Sequence, residues 1–126
     1  MVRKSLLIIA LFALAACTRA PLTVEAIQIG RSLNSDNSVG THTTRFGPKD
    51  TMYASVITPA RGAGTLTAKW MFGGRVVREQ SKDVSYNDRA ATEFRFSAAD
   101  GFPPGEYTVE ILLDGQTVGT RTMRVG

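Results

Sequence analysis

The sequence predicts an all-β domain of seven short antiparallel strands in two sheets packed face to face, preceded by an N-terminal export signal. Three observations predict this fold class. Apolar and polar residues alternate with a period of two, the chain after residue 17 shows no helical repeat, and clusters of Gly, Pro, Asn and Asp separate the alternating segments. Many short strands with frequent turns are typical of β-sandwiches.

The alternating pattern defines seven segments. They are residues 24–33, 51–58, 65–72, 75–79, 91–97, 106–113 and 116–125. Gly73-Gly74 and Asp114-Gly115 each supply two residues that tolerate positive φ, as two-residue hairpin turns require, so the strands on either side of each turn should be antiparallel neighbours. In the last segment Val118 and Met123 lie in opposite phases, which predicts a bulge near Gly119.

Residues 1–16 have the layout of a secretory signal. Arg3 and Lys4 precede the apolar residues 6–16. As a helix this apolar run would be about 16 Å long, against roughly 30 Å for the hydrocarbon core of a bilayer. The run is therefore too short to span a membrane comfortably.

The signal ends in Leu14-Ala15-Ala16-Cys17, which resembles the lipobox of bacterial lipoproteins. In that family the cysteine thiol is diacylated and the chain is cut before it, and a thiol is needed because sulfur is the nucleophile that takes the lipid. The resemblance implies a signal peptide over 1–16, a lipidated Cys17 with a short tether over 17–23, and a folded domain over 24–126. Two alternatives stay open: an ordinary secretory signal that leaves a free thiol, and an uncleaved helical anchor.

The resemblance also implies a location and a membrane partner. Lipid on Cys17 would hold the protein to a membrane of the cell envelope. Because Thr18 replaces the Asp that favours retention in the inner membrane of Gram-negative bacteria, the expected site is the outer membrane, facing the periplasm or the cell surface.

Charge argues against a nucleic-acid partner. The chain has 15 basic and 11 acidic residues, and removal of Arg3 and Lys4 with the signal leaves 13 against 11, a net charge of +2. The remaining charges are interspersed in sign, without the basic stripe that phosphate backbones require. The single cysteine also excludes an intrachain disulfide.

Two features resemble immunoglobulin-like and fibronectin-type domains. Trp70 lies on the third predicted strand, and residues 100–110 read Asp-Gly-Phe-Pro-Pro-Gly-Glu-Tyr-Thr-Val-Glu, a Pro-Gly corner followed by Tyr-x-Val-x. The resemblance implies that Trp70 is buried in the core and that the Tyr107 hydroxyl bonds back to the preceding loop, as in a tyrosine corner. These motifs specify a fold and no activity.

The residues for catalysis and metal binding are sparse. His42 is the only histidine, no serine stands in a G-x-S-x-G motif, and Cys17 is committed to lipid. We therefore expect no catalytic residue, no metal site, no cofactor and no enzymatic activity. A cleft that brought His42 together with Asp36 or Asp50 would instead indicate an enzyme.

The topology of such a sandwich predicts one candidate binding surface. On the sheet that contains the third, sixth and seventh segments, Met71 and Leu112 should face outward, with Lys69 and Glu110 at the rim of an apolar patch and Val76 or Val77 beside it. The long connection over 34–50 and the corner over 102–104 add two loop aromatic residues. The candidate binding residues are Met71, Leu112, Lys69, Glu110, Phe46 and Phe102.

These features favour a membrane-anchored, non-enzymatic module that binds or scaffolds another envelope protein. The alternative is a periplasmic module that binds a glycan or small ligand, or that inhibits an envelope hydrolase. That alternative would be favoured if Trp70 or Phe46 were exposed in a groove.

Overall fold

The structure, a computed structural model, describes residues 20–126 and forms eight β-strands over them, without a helix. The strands are β1 (Ala26–Gly30), β2 (Arg45–Phe46), β3 (Met52–Thr58), β4 (Gly62–Phe72), β5 (Arg75–Tyr86), β6 (Ala90–Phe96), β7 (Gly105–Leu113) and β8 (Gln116–Val125). Within that part of the chain no helix is long and apolar enough to cross a membrane. The predicted signal peptide and Cys17 lie outside the described residues.

The strands form two sheets, as predicted for a sandwich. One sheet has the order β1-β3-β6 and the other has the order β2-β8-β7-β4-β5. All neighbouring strands are antiparallel except β2 and β8, which run parallel. The predicted count of seven strands was wrong by one, because β2 lies inside the segment that was expected to be a loop.

Both predicted hairpin turns are present. Gly73 and Gly74 have φ values of 60° and 80°, and Asp114 and Gly115 have φ values of 50° and 85°. Positive φ at both central residues suits the twist of the flanking strands, so these turns fix β4 against β5 and β7 against β8. The predicted bulge is also present, because the β7–β8 register shifts opposite Val118, next to Gly119.

The strand β5 is longer than predicted. It continues past Glu79 to Tyr86, for 12 residues in all. The sequence pattern hides the second half because three of its four inward positions carry Gln80, Lys82 and Tyr86, and only Val84 is a plain hydrocarbon side chain. Each of the first three uses an apolar stem inside the sandwich and a polar tip at its edge.

The core lies between the two sheets and is built around Trp70, which is fully buried. Its ring packs against Phe96 at 5.4 Å between centroids, Phe96 meets Phe102 at 5.0 Å, and Phe102 meets Tyr107 at 5.5 Å. Phe72 stacks on Tyr107 at 4.4 Å. A chain of aromatic contacts therefore joins both sheets and takes the place of the inter-sheet disulfide found in antibody domains.

The connection between β1 and β2 is folded against the domain. It lies over the outer face of the three-stranded sheet, where the Ser55 hydroxyl donates a hydrogen bond to the Asn37 carbonyl (2.7 Å) and the Val39 N–H donates to Gln28 Oε1 (2.9 Å). Val39 is buried. This segment therefore acts as a cover over the middle of that face, where Ser55 is buried, and leaves Arg95 exposed.

The N-terminal arm is bonded to the start of β4. Ala63 N–H donates to the Ala20 carbonyl (3.0 Å), and Leu22 N–H donates to the Ala63 carbonyl (3.3 Å). Leu22 is buried. Residues 20–23, which the sequence analysis assigned to the tether, are thus held against the domain.

The close approach of the cover to β1 makes Gly30 intolerant of a side chain. A Cβ at Gly30 would lie 2.2 Å from the Thr41 carbonyl oxygen and 2.3 Å from Val39 Cγ1. We expect Gly30→Ala to reduce the free energy of unfolding by about 1–3 kcal/mol, as overpacking does. Urea titration monitored by the fluorescence of Trp70, the only tryptophan, measures this loss.

Gly47→Ala is the matched control, because its Cβ would lie no closer than 3.5 Å to another group, the Asp50 carboxylate. Equal unfolding midpoints for the two variants would contradict the predicted clash.

Candidate functional site

The predicted patch residues lie on the outer face of the five-stranded sheet. On β4, Leu66, Ala68 and Trp70 point into the core and are fully buried, so the alternate residues Lys69 and Met71 point outward and are half-buried. This alternation is the one the sequence predicted.

The register of β4 on β7 separates the two apolar members of the patch. Leu112 stands opposite Thr67, whereas Met71 stands opposite Thr108. Four residues along a strand place Met71 and Leu112 roughly 14 Å apart. The structure therefore does not bring them into one apolar surface.

A charged row lies between the two apolar side chains. Lys69 faces Glu110 across β7 and Glu79 across β5. Glu110 also accepts a hydrogen bond from the Thr117 hydroxyl of β8. Lys69 and Glu110 thus occupy the middle of the face, whereas the sequence predicted them at the rim of an apolar patch.

The apolar surface instead gathers at the β4–β5 hairpin. Val76 stands opposite Met71, and a register shift between Trp70 and Met71 leaves Val77 as the extra residue of β5. Val76 is 48% exposed and Val77 is 42% exposed. Met71, Val76 and Val77 are here called the hairpin patch.

The strand β5 is the last strand of its sheet and pairs only with β4. Among the described residues no strand pairs with its outer edge, which leaves a row of backbone N–H and C=O groups over 12 residues without ladder partners. Such an edge is a template for the addition of another strand. It begins at the hairpin patch.

The inner side of β5 is closed against β6 by three side chains. Gln80 accepts a hydrogen bond from the Trp70 indole N–H (2.9 Å) and donates to the Arg95 carbonyl (2.7 Å). Lys82 donates to the Glu93 carbonyl (2.5 Å) and forms an ion pair with its carboxylate (2.9 Å). The third is Tyr86, whose hydroxyl bonds to the Thr92 hydroxyl (2.6 Å).

The ion pairs of Glu93 shift its titration. Burial raises the pKa of the Glu93 carboxyl, but the hydrogen bonds from Lys82 and Arg95 outweigh it and leave the pKa below its ordinary value. The charged form is thus the one that the folded domain prefers.

Phe46 and Phe102 were wrongly predicted to lie on a binding surface. Phe46 is 5% exposed and Phe102 is 3% exposed, and both belong to the core. Phe46 is drawn inward by the pairing of β2 with β8. Phe102 is held by a hydrogen bond from its N–H to the Pro48 carbonyl (2.8 Å).

The tyrosine corner is present. The Tyr107 hydroxyl donates to the Pro103 carbonyl (2.7 Å), and burial raises the pKa of this phenol. The bond fixes the loop before β7, as the resemblance to immunoglobulin-like domains implied.

Asp36 and Asp50, the possible acidic partners of His42, accept hydrogen bonds within their own loops. Asp36 accepts hydrogen bonds from the Ser38 hydroxyl and N–H, which hold the pKa of its carboxyl below the ordinary value. Asp50 accepts from the Gly47 N–H (2.7 Å), and His42 is exposed. In the part of the chain that the structure describes, no three His, Cys, Asp or Glu side chains gather as metal ligands.

Two surface cavities were not indicated by the sequence. The larger, about 380 Å³, lies between the cover and the start of β6 and is lined by Gln28, Asp36, Ser38, Ile57, Arg89, Ala90 and Ala91. The smaller, about 220 Å³, is lined by Arg31, Arg45, Phe46, Gly47, Arg124 and Gly126. Its three arginines are far apart in sequence, so no local motif marks them.

The domain is an immunoglobulin-like β-sandwich, as comparison with solved structures confirms. An immunoglobulin-like protein from Pseudomonas aeruginosa is 14% identical with a TM-score of 0.54, and the match covers 85% of this chain and 98% of that one. No protein-family model and no curated protein matches the sequence.

Parts of two larger enzymes have the same fold. The alkylpurine DNA glycosylase AlkC of Pseudomonas fluorescens, solved with DNA containing an abasic-site analogue, is 11% identical with a TM-score of 0.54 over 84% of this chain. A β-glucosidase from Erythrobacter marinus is 15% identical with a TM-score of 0.53 over 83% of this chain. The chain spans 30% of the first and 15% of the second, so the likeness concerns the fold alone.

The closed inner side of β5 gives a stability prediction. Gln80→Ala leaves the buried indole N–H of Trp70 and the Arg95 carbonyl without their partner, which should cost about 1–3 kcal/mol of unfolding free energy. Urea titration followed by tryptophan fluorescence measures the loss.

Ser81→Ala serves as the control, because the exposed Ser81 hydroxyl bonds only to Thr67 on the surface and should contribute within about 0.5 kcal/mol. If Ser81→Ala proved as costly as Gln80→Ala, the bridging role of Gln80 would be refuted.

Proposed function

We propose that this chain is a lipid-anchored, non-enzymatic module of the cell envelope that binds another envelope protein through the outer edge of β5. The observation that carries the proposal is the outer edge of β5, which runs for 12 residues, pairs with no strand among residues 20–126 and begins near two exposed valines. In strand addition the backbone of the edge supplies affinity, and side-chain pockets supply specificity. The hairpin patch would receive apolar side chains of the added strand.

The charges along β5 favour a different protein over a second copy of this chain. In antiparallel pairing of β5 with the β5 of a second copy, a centre at residue 78 places Arg78 opposite Arg78. A centre at residue 79 places Glu79 opposite Glu79. Pairing centred on residue 80 places Arg78 opposite Lys82, and pairing centred on residue 81 places Glu79 opposite Asp83. Like charges directly opposite one another are unfavourable, so each central register is penalised.

The anchor is supported by the sequence Leu14-Ala15-Ala16-Cys17 and by the basic and apolar segments before it. Because Ala20 is already bonded to Ala63, residues 17–20 would form the whole free tether, at most about 14 Å long. The domain would then stand close to the membrane, with β5 directed away from it at the hairpin patch.

The alternative of a glycan or small-ligand module lacks its expected signature. Aromatic side chains that stack on sugars must be exposed, whereas Trp70 is fully buried and Phe46 is 5% exposed. The burial of Trp70 and Phe46 therefore does not favour glycan binding over protein binding.

The double variant Val76→Lys/Val77→Lys should remove the partner. Two lysine ammonium groups at the start of the edge would have to give up their water to contact an apolar strand, which is costly, so we expect crosslinks to the partner to fall at least about tenfold. The measurement is crosslinking of the tagged full-length protein in its own cells, followed by mass spectrometry.

Val118→Lys is the matched control, because Val118 is a valine of similar exposure, 40%, on β8. Unchanged crosslinks in the double variant, or equal loss in the control, would exclude the β5 edge as the docking site.

Cys17→Ala should release the protein from the membrane fraction, since no other residue can carry the lipid thioether. Fractionation of cells and blotting of the tagged protein measures this, with Ser5→Ala as a control that leaves residues 14–17 intact. A variant that stays with the membrane would contradict lipid anchoring and point to an uncleaved helical anchor.

A further inference from the structure

Three arginines surround the smaller cavity, here called the arginine cavity. Arg31 follows β1, Arg45 lies on β2 and Arg124 lies near the end of β8, and all three side chains are exposed. Phe46 and the backbone of Gly47 and Gly126 complete the lining. The cavity measures about 220 Å³.

The fold forces two of these cations together. β2 and β8 run parallel, with Arg45 directly opposite Arg124 and Phe46 directly opposite Val125. Because Phe46 and Val125 are both buried, the register cannot slip without exposing them, and the two arginines must share the outer face. Like charges in directly opposed positions cost free energy unless something of opposite sign lies between them.

Among the described residues no ion pair neutralises the arginines of the cavity, because the three ion pairs use Lys82, Arg89 and Arg95. Glu106 stands opposite Arg124 on β7 but forms no ion pair with it, and the Asp50 carboxylate is bonded to the Gly47 N–H.

The backbone at the cavity is rigidly held. The Thr43 hydroxyl accepts from the Arg45 N–H (3.0 Å) and donates to its carbonyl (3.2 Å), and the Arg124 N–H donates to the Thr44 carbonyl (2.8 Å). The Cα atoms of Arg45 and Arg124 therefore start from fixed positions, which lowers the entropy cost of closing the two side chains on a ligand.

We propose that the arginine cavity binds a phosphate group. Guanidinium groups offer paired N–H donors that match phosphate oxygens, and three of them suit a dianion with three free oxygens better than a single carboxylate. The larger cavity has no such excess of charge, because it contains Asp36 and its Arg89 is paired with Glu25 at 2.8 Å and 3.2 Å.

The position of the cavity indicates where the phosphate comes from. The N-terminal arm is bonded to Ala63 at the start of β4, whereas Arg124 lies beside the start of β7, at the opposite end of the sandwich. The length of β4 separates the two ends by roughly 30 Å. A domain tethered at its N-terminus therefore presents the cavity away from its own bilayer, to a phosphate carried by a soluble molecule or a partner.

The test is a titration of the purified, ¹⁵N-labelled full-length protein in detergent with inorganic phosphate, against sodium chloride of equal ionic strength. We expect saturable shifts of the backbone N–H signals of Phe46 and Gly47 and of the arginine side chains with phosphate alone. Arg45→Gln and Arg124→Gln should each weaken binding about tenfold or more. Arg121→Gln, an exposed arginine on β8 outside the cavity, should bind as the wild type does.

The same variants separate binding from a structural role. Without phosphate, Arg45→Gln should leave the unfolding midpoint unchanged or raise it, because it removes a repulsion. Identical responses to phosphate and chloride, or equal weakening by Arg121→Gln, would overturn the site. Displacement of bound phosphate by phosphatidylglycerol vesicles, but not by phosphatidylcholine vesicles, would overturn the assignment to a phosphate outside the bilayer.

Discussion

The rest of this sandwich depends on how one buried indole N–H is satisfied. Trp70 occupies the centre of the core, where an unpaired polar hydrogen would be costly, and Gln80 of β5 accepts it. The amide of Gln80 then donates to the Arg95 carbonyl at the edge of β6, so one side chain connects the core tryptophan, the last strand of one sheet and the last strand of the other. The inner side chains of β5 close the gap to β6, but its backbone pairs only with β4. The N–H and C=O groups on its outer edge are therefore available to solvent or to a partner.

The sequence predicted those strands whose inward residues are plain hydrocarbons. β3, β6 and β7 begin and end within a residue or so of their predicted bounds because apolar side chains alternate along them, and β8 does so because the Asp114-Gly115 turn fixes its start. The second half of β5 was missed because Gln80, Lys82 and Tyr86 look polar in sequence and act as core residues only through their stems. β2 was missed because its two residues carry no periodic signal, and its pairing with β8 depends on contacts far away in the chain.

The binding surface was less predictable than the fold. Outward-facing positions on β4 and β7 followed from alternation, but the distance between Met71 and Leu112 depends on register, which alternation does not specify. Phe46 and Phe102 lie in connections, where exposure is the ordinary expectation, and they are buried because the two connections close the same end of the core. The arginine cavity depends on three chain segments meeting, and only the folded backbone brings them together.

The placement of the N-terminal arm and of the arginine cavity at opposite ends has a mechanical consequence. A tension applied between them runs along the strands, and the hydrogen bonds of a sheet lie across that direction. The bonds between neighbouring strands are therefore loaded in shear and must yield together, whereas a pull across the sheet would open them one at a time. The same arrangement that holds the N-terminal arm against β4 thus suits the domain to remain folded while a load is transmitted from one end to the other.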